Sequence, residues 1–305
     1  MSAASSIEGR VLVIGDIVTD IVAAHSGSLA LGSDTAATIR VTGGGSGGNT
    51  AAWLALLGVS VDLVAVAGMD VAGTDRLAEL EGAGVGCSYV RRSPNAPTGS
   101  VIVLANEAER TMLCDRGANL LLEPSDVDAA LGARLDVAHL HLSGYTLLDE
   151  RSRPAGRHAL AVARARSVTT SVDAASAAPL RRIGGAAFLE WVRGVDVLLA
   201  NLAEARALLN QTDAEPAGLA LALSRFARRA VVKLGSDGAV MAGDDAVRRH
   251  GPERPARVVD PTGAGDAFAA GLLASWLAGD SAEAQLRAAN RMGGRAVAAV
   301  GGRPT

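Results

Sequence analysis

One alternation constrains this chain more than any other feature. Short apolar runs at Val11–Ile14, Val61–Ala67, Val137–Leu142, Val168–Val172 and Val195–Leu199 are each followed by a turn and a helix-length segment. Runs this apolar read as strands buried on both faces, and strands alternating with helices require a mostly parallel sheet covered on both sides. The predicted fold is therefore α/β and three-layered. Helices are expected at Thr50–Leu57, within Gly68–Leu80, and at Arg151–Arg166, Phe188–Gly194, Glu204–Leu209, Leu219–Arg229, Asp266–Ala278 and Ala282–Ala299. Val231–Leu234 is expected to form a hairpin with Gly238–Met241.

The rhythm breaks in two places. Thr35–Thr42 and the stretch Pro97–Met112, with a polar tip around Asn106–Arg110, look like strands outside the βα units. They predict a small β-lid over the main sheet, formed by about residues 17–41 and 89–113. Exposed lid strands are a pairing liability, so a homodimer through the lid is expected. Nothing linker-like divides the chain, and residues 1–305 read as a single domain with this lid.

Composition removes several classes. The chain is 49% hydrophobic and 20% charged, which excludes disorder. Its mean hydropathy is +0.25, yet the longest uncharged apolar-rich stretch, Ala267–Gly279, falls short of the ~20 residues a membrane span needs. The N-terminal MSAASSIEGR lacks the basic and apolar regions of a signal peptide, so a cytoplasmic location is expected. A net charge of −3 without basic blocks argues against nucleic-acid and membrane partners. Cys87 and Cys114 form no CxxC spacing and no disulfide framework. Lys233, the only lysine, is followed by leucine, so the chain has no Walker A loop.

With 36 glycines and no G-x-y period, the glycines must serve specific turns. The first cluster, Gly43 to Gly48 followed by Asn49, formally contains G-x-G-x-x-G. A dinucleotide loop would want an acid at the end of the next strand. Asp62 stands at the start of its strand, and the cluster follows a lid strand rather than a core strand. A backbone-lined pocket with Asn49 as donor and acceptor is the favoured reading. A dinucleotide loop and a loop without ligand remain alternatives.

The second cluster is more specific. Val258 to Phe268 reads as a strand, a tight glycine turn and a helix with Asp266 in its first turn. The amides of Gly263, Ala264 and Gly265 would converge at the positive end of the helix dipole and form an anion site. A carboxylate beside an anion site is unhelpful for binding. It becomes useful if Asp266 takes a proton from a hydroxyl attacking phosphorus while the amides hold the departing charge.

Asp260–Asp266 (DPTGAGD), with Gly44-Gly45-x-x-x-Asn49 near the start, resembles the signature pair of the ribokinase-like, PfkB-type carbohydrate kinases. The resemblance runs through Gly15–Asp20, Thr98-Gly99, Gly117–Asn119, Asn201-x-x-Glu204 and Val231–Gly238 to the last helix. It implies ATP as donor, Asp266 as general base, and Gly263, Ala264 and Gly265 as the anion hole. Asn201 and Glu204 correspond to the element that organises Mg2+ through water, although N-x-x-E opening a helix is also a capping box. Lys233, Gly235, Ser236, Gly238 and Asn290 match the nucleotide-lining positions. Asp260 and Thr262, with backbone carbonyls around Ala296, Ala299 and Gly301, match the loop that holds a monovalent cation in potassium-activated members. Pro261 replaces the commoner threonine there.

For the acceptor, Asp20 with Gly44, Gly45 and Asn49 matches the positions that grip substrate hydroxyls, Asp20 being read at the end of the first strand. Val18 and Ser143 stand where a ribokinase carries asparagine and glutamate, which puts ribose in doubt. A small sugar or sugar acid ranks first and a nucleoside second. A sugar phosphate ranks third, with Arg40, Arg110 and Arg116 to meet its charge. A dinucleotide-dependent oxidoreductase and a non-catalytic sugar sensor are the readings from other classes. His139 and His141 alternate on a strand without a third ligand nearby, and read as structural. Trp53 reads as core.

Overall fold

The computed structural model describes residues 9–106, 110–244, 246–252 and 258–304. Its strands are β1 (Arg10–Ile14), β2 (Val18–His25), β3 (Ala37–Gly44), β4 (Val61–Gly68), β5 (Gly86–Ser93), β6 (Gly99–Ala105) and β7 (Arg110–Asp115). They continue as β8 (Val137–Ser143), β9 (Thr169–Asp173), β10 (Val195–Asn201), β11 (Ala227–Lys233), β12 (Ala239–Gly243) and β13 (Ala246–His250). Nine form one sheet in the order β13-β12-β11-β10-β9-β8-β1-β4-β5. All its pairings are parallel except those of β12 with β11 and β13.

Each face of this sheet carries its own buried layer. Helices Ser46–Leu56, Ala264–Leu277 and Ala282–Ala296 cover Val11, Val13, Leu63, Ala65, Val197 and Val231. On the other face, Leu12, Ile14, Leu140, Val172 and Leu198 pack with Leu131, Leu160, Phe188 and Leu208 from the remaining helices. Strand residues alternate between the two layers, as a pleat buried on both sides requires. This is the expected three-layer α/β arrangement.

The remaining strands form a separate sheet, β3-β2-β6-β7, with β2 parallel to β6 and both outer pairings antiparallel. This is the β-lid, with one boundary corrected. Tyr89–Ser93 belongs to β5, the parallel edge of the main sheet beside β4, and the second lid segment begins only at Gly99. Cys87 and Val90 face the core while Arg91 turns outward, so the segment has the half-polar face of an edge strand. Such a face looks the same as that of a lid strand in sequence. Residues 107–109 of the expected hairpin tip lie outside the described residues.

Two further expectations change. The helix expected to reach Arg229 is Pro216–Leu223, and Ala227–Arg229 already belong to β11. Val258 and Val259 are not a strand; the amides of Val259 and Asp260 both donate to the carbonyl of Val297, so the last helix fixes this segment.

Candidate active site

The site lies where the carboxyl ends of the strands meet the lid, the usual place for ligands in open α/β sheets. A cavity of about 940 Å3 opens there. It is lined at one end by Asn201, Glu204, Lys233, Gly235, Ser236, Gly238 and Asn290, and at the other by Asp16, Asp20, Asn49, Arg116 and Tyr145. Gly263, Ala264, Gly265 and Asp266 lie on the wall between.

Gly263 caps helix Ala264–Leu277 in the left-handed conformation, φ 73°. A Cβ there would stand 2.4 Å from the Gly302 backbone, so both the φ and the space demand glycine. The Ala264 amide closes the turn onto the Pro261 carbonyl at 3.3 Å. The amide of Gly265 belongs to the opening N–H groups of the helix, which have no partner within the helix.

Asp266 lies in the first turn of this helix, half-buried, with both oxygens engaged. Ser46 Oγ donates to Oδ1 and Asn49 Nδ2 to Oδ2, each at 2.9 Å. Burial pushes its carboxyl up to about 7; the bonds from Asn49 and Ser46 and the charge of Lys233 work against this rise, and the charge of Asp173 adds to it. Asn49 is thus brought to Asp266. Ser46, within the same glycine cluster, is a partner that motif reading missed.

Lys233 Nζ lies 2.6 Å from Asp173 Oδ2, and a Cβ on Gly265 would meet that ammonium at 3.2 Å. The only lysine of the chain therefore stands beside the glycine turn, between Asp173, Glu204 and Asp266, which all interact with it electrostatically. Asn201 and Glu204 form a capping box. Asn201 Oδ1 accepts from the Glu204 amide at 2.9 Å, and the Asn201 amide donates to Glu204 Oε2 at 2.7 Å. Burial raises the Glu204 carboxyl to about 7, with Lys233 opposing the rise and Asp173 adding to it.

Asn290 donates to the carbonyls of Gly251 and His250, at 3.0 and 3.3 Å, and so closes the far end of the cavity. Gly238 is fixed by φ 85° and by His250 O, 2.1 Å from where a Cβ would be.

Asp20 is not at the end of the first strand. It stands on lid strand β2, paired with Thr42 and Val101, and its carboxylate accepts no hydrogen bond among the described residues. Its carboxyl is raised to about 6 by burial and by the charge of Asp16, against Arg303 and Arg76. A Cβ on Gly44 would stand 2.3 Å from Asp20 Oδ2, so glycine there is what admits the carboxylate. Gly45, φ 93°, turns the chain from β3 into the first helix.

The residue at the end of β1 is Asp16. It accepts from the Gly47 amide at 3.0 Å, Ser143 Oγ at 3.3 Å and Arg116 Nη2 at 3.1 Å. The Arg116 guanidinium also lies 4.3 Å over the Tyr145 ring. Neither Asp16 nor Asp173 is among the expected site residues, although each is an acid closing an apolar strand, a signal that marks them. Arg40 is exposed and does not line the cavity.

Asp260 holds the Thr262 amide at 2.9 Å and the Gly301 amide at 3.0 Å. Among the described residues, Thr262 Oγ1 is buried without a hydrogen-bond partner. Ala296 O accepts from the Ala299 amide. His139 and His141 are wholly buried on Ser171 and Thr169, and burial holds both neutral, as structural residues should be. Trp53 is core and donates to the Gly302 carbonyl at 2.9 Å. Asp62 pairs with Arg10 and Arg134, far from a cofactor role.

A mostly parallel α/β sheet, a β-lid and a glycine turn carrying a carboxylate define a ribokinase-like small-molecule kinase. The chain belongs to the pfkB family carbohydrate kinases, whose family model matches residues 8–305. It is therefore a phosphotransferase with an alcohol group as acceptor, and ATP is the donor in this family. It is 35% identical over 257 residues to an ATP-dependent ribose-1-phosphate kinase of Halopiger xanaduensis, covering 83% of this chain and 80% of the relative. It is 29% identical to a ribokinase of Mus musculus, covering 88% and 81%. Among solved structures, an adenosine kinase of Sinorhizobium meliloti superposes with TM-score 0.86 at 28% identity, covering 97% and 96%. Among the described residues, no helix is long and apolar enough to cross a membrane.

Proposed function

We propose that this kinase transfers the γ-phosphoryl group of ATP to a hydroxyl of a small sugar derivative, with Asp266 as general base. The observation that carries this reading is Asp266 itself. It is a half-buried carboxylate raised to about 7, held by two donors in the first turn of the helix whose opening residues line the same cavity. A base poised near neutral pH takes the hydroxyl proton as the acceptor oxygen bonds to Pγ and the Pγ–O bond to the bridging oxygen breaks. The departing charge leaves on ADP, and the Gly263 and Gly265 amides with Ala264 stabilise it.

Asn201, Glu204, Lys233, Gly235, Ser236, Gly238 and Asn290 then form the nucleotide end. Mg2+ would supply charge neutralisation on the phosphates. The capping box fits water-mediated contact, because Glu204 already accepts from Asn201. Among the described residues no cluster of three or more His, Cys, Asp or Glu side chains forms a direct metal site. A monovalent cation suits the loop of Asp260 and Thr262, with the carbonyls of Ala296, Ala299 and Gly301, because the buried Thr262 hydroxyl oxygen has no partner among the described residues. The cation would fix the turn that presents the amides. Turnover is expected to be faster in potassium than in sodium; equal rates in potassium and in a large organic cation would remove this site.

At the acceptor end, Asp20 has its lone pairs free for hydroxyls, and charged acceptors make the stronger hydrogen bonds. Gly44, Gly45 and Asn49 complete the subsite. Arg116 lines this end and, shared between Asp16 and the acceptor, would meet the negative group of a sugar acid or of a sugar phosphate such as the one named for the Halopiger relative. A nucleoside is the second reading, supported by the apolar lid residues Val18, Val101, Val103 and Met112 in the same cavity and by the adenosine kinase named above. An ATP-consumption screen over neutral sugars, sugar acids, sugar phosphates and nucleosides tests both. Turnover with neutral sugars alone would discard the role of Arg116, and no turnover with any class would discard the kinase mechanism as written.

A homodimer through the lid and a cytoplasmic location complete the proposal. Val101 and Met112 face the cavity, so Ile102 and Leu113 in alternate register face away from it. With Ile39 and Val41 they form an apolar outer face, each residue 40–65% exposed. Such a patch marks an interaction site. Sedimentation is expected to show a dimer that the double change Val41→Glu, Ile102→Glu converts to monomer; a monomeric wild type would end the dimer and leave the kinase reading intact.

A further inference from the structure

We propose that Arg303 is a positioning residue for acceptor binding, holding the carbonyl of Gly44 and supplying counter-charge to Asp20. The inference rests on the reading of Asp20 and Gly44 as acceptor subsite. Arg303 stands 259 residues from Gly44 in sequence, yet its Nη2 donates to the Gly44 carbonyl at 2.9 Å. Its Nη1 pairs with Glu79 at 3.0 Å, and the side chain is only 11% exposed. Glu79 in turn holds Arg76, whose Nη1 donates to Thr19 Oγ1 and to the Thr42 carbonyl, each at 3.3 Å. Two guanidinium groups thus share one glutamate at the base of the lid.

The surplus positive charge has a destination. Asp20 is buried near the carboxylates Asp16 and Asp260, and Arg303 and Arg76 are the cations that oppose its neutralisation. Neither hydrogen-bonds to it among the described residues, so they act against its neutralisation without occupying its oxygens. Glycine at position 43 makes room for this, since a Cβ there would stand 2.3 Å from Arg303 Nη1.

The backbone just before Arg303 ties the same residue to the transfer centre. The Gly301 amide donates to Asp260, and the Gly302 carbonyl accepts from Trp53. Gly302 also fills the space beside both Gly263 and Asn49. One short segment therefore sets the acceptor subsite against the glycine turn.

The test is a steady-state comparison on the full chain, using whichever acceptor class the wild type phosphorylates. Arg303→Met is expected to raise the acceptor KM by about tenfold or more, the loss of a charged hydrogen bond, with kcat and the KM for ATP little changed. Arg303→Lys is expected to recover part of the loss, since one ammonium can serve either Gly44 or Glu79. Should Arg303→Met fail to fold, Glu79→Gln, at a 42% exposed side chain, decides. It is expected to raise the acceptor KM in the same selective way. An unchanged acceptor KM, or kcat and both KM values moving together with a fall in Tm, would overturn the assignment. A wild type that turns over no acceptor would instead overturn the kinase reading beneath it, and that result is seen before any substitution is made.

Discussion

Asp266→Asn is expected to lower kcat by roughly 10²–10⁴-fold, about 3–5 kcal/mol in barrier, with the fold intact. Asparagine has nearly the shape of aspartate and can still accept through its oxygen from Ser46 or Asn49, which now bond to Oδ1 and Oδ2 at 2.9 Å. It cannot accept the hydroxyl proton. ATP binding should persist or tighten slightly, because a negative charge near the phosphates has gone. Stability supplies a second readout with a definite sign. Burial raises the Asp266 carboxyl from the ordinary 3.8 to about 7, so its contribution to stability is present at low pH and lost as pH rises through that window. The asparagine variant lacks this loss, so its Tm should gain on the wild type between those pH values. Near-native turnover at saturating ATP and acceptor would falsify the general-base role of Asp266 and leave the kinase assignment standing.

The parts of this site that were legible in sequence are those in which one short segment carries the chemistry. DPTGAGD shows itself because a left-handed Gly263, a helix start and an acid must be adjacent in the chain to act together. The N-x-x-E element likewise spans a single helical turn, and its two readings coexist as capping box and cavity wall. What was not legible is convergence from afar. Ser46 reaches Asp266 across 220 residues and Arg303 reaches Gly44 across 259. No local pattern marks either. Asp16 and Asp173 fall between these cases: each ends an apolar strand, where open α/β sheets collect ligands. The lid boundary was misplaced for a different reason. Arg91 and Arg92 make β5 half polar because it is an edge strand, and the polarity alone does not say which sheet it edges. At Leu219–Arg229 the apolar spacing runs on past the true helix end, and only the pairing of Ala227 with Val195 shows that a strand has begun.

Lys233→Met should be more damaging than a lost surface charge and should act differently from Asp266→Asn. The lysine is the cation among three acids: its ammonium bonds to Asp173 at 2.6 Å and acts electrostatically on Glu204 and Asp266. Its side chain is 12% exposed and that of Asp173 7%, so the pair is largely out of water. Removing one partner of such a pair leaves an uncompensated charge and typically costs about 3–5 kcal/mol. A clear fall in Tm at neutral pH is therefore expected. The catalytic effect has its own sign. Lys233 helps hold the Asp266 carboxyl down against burial and the charge of Asp173. In the wild type, kcat should rise with pH through a limb near 7, where Asp266 becomes able to accept a proton. Without the lysine that limb should move to higher pH, so the variant loses most at pH 6–7 and regains part of its rate in alkali (roughly tenfold per unit of displacement on the acid side). The double change Lys233→Met, Asp173→Asn removes the stranded charge with its partner and should restore part of both Tm and limb position, because Asp173 also raises Asp266. A pH limb that stays in place in Lys233→Met would mean that the lysine serves the nucleotide alone, and that the charge balance around Asp266 is set without it.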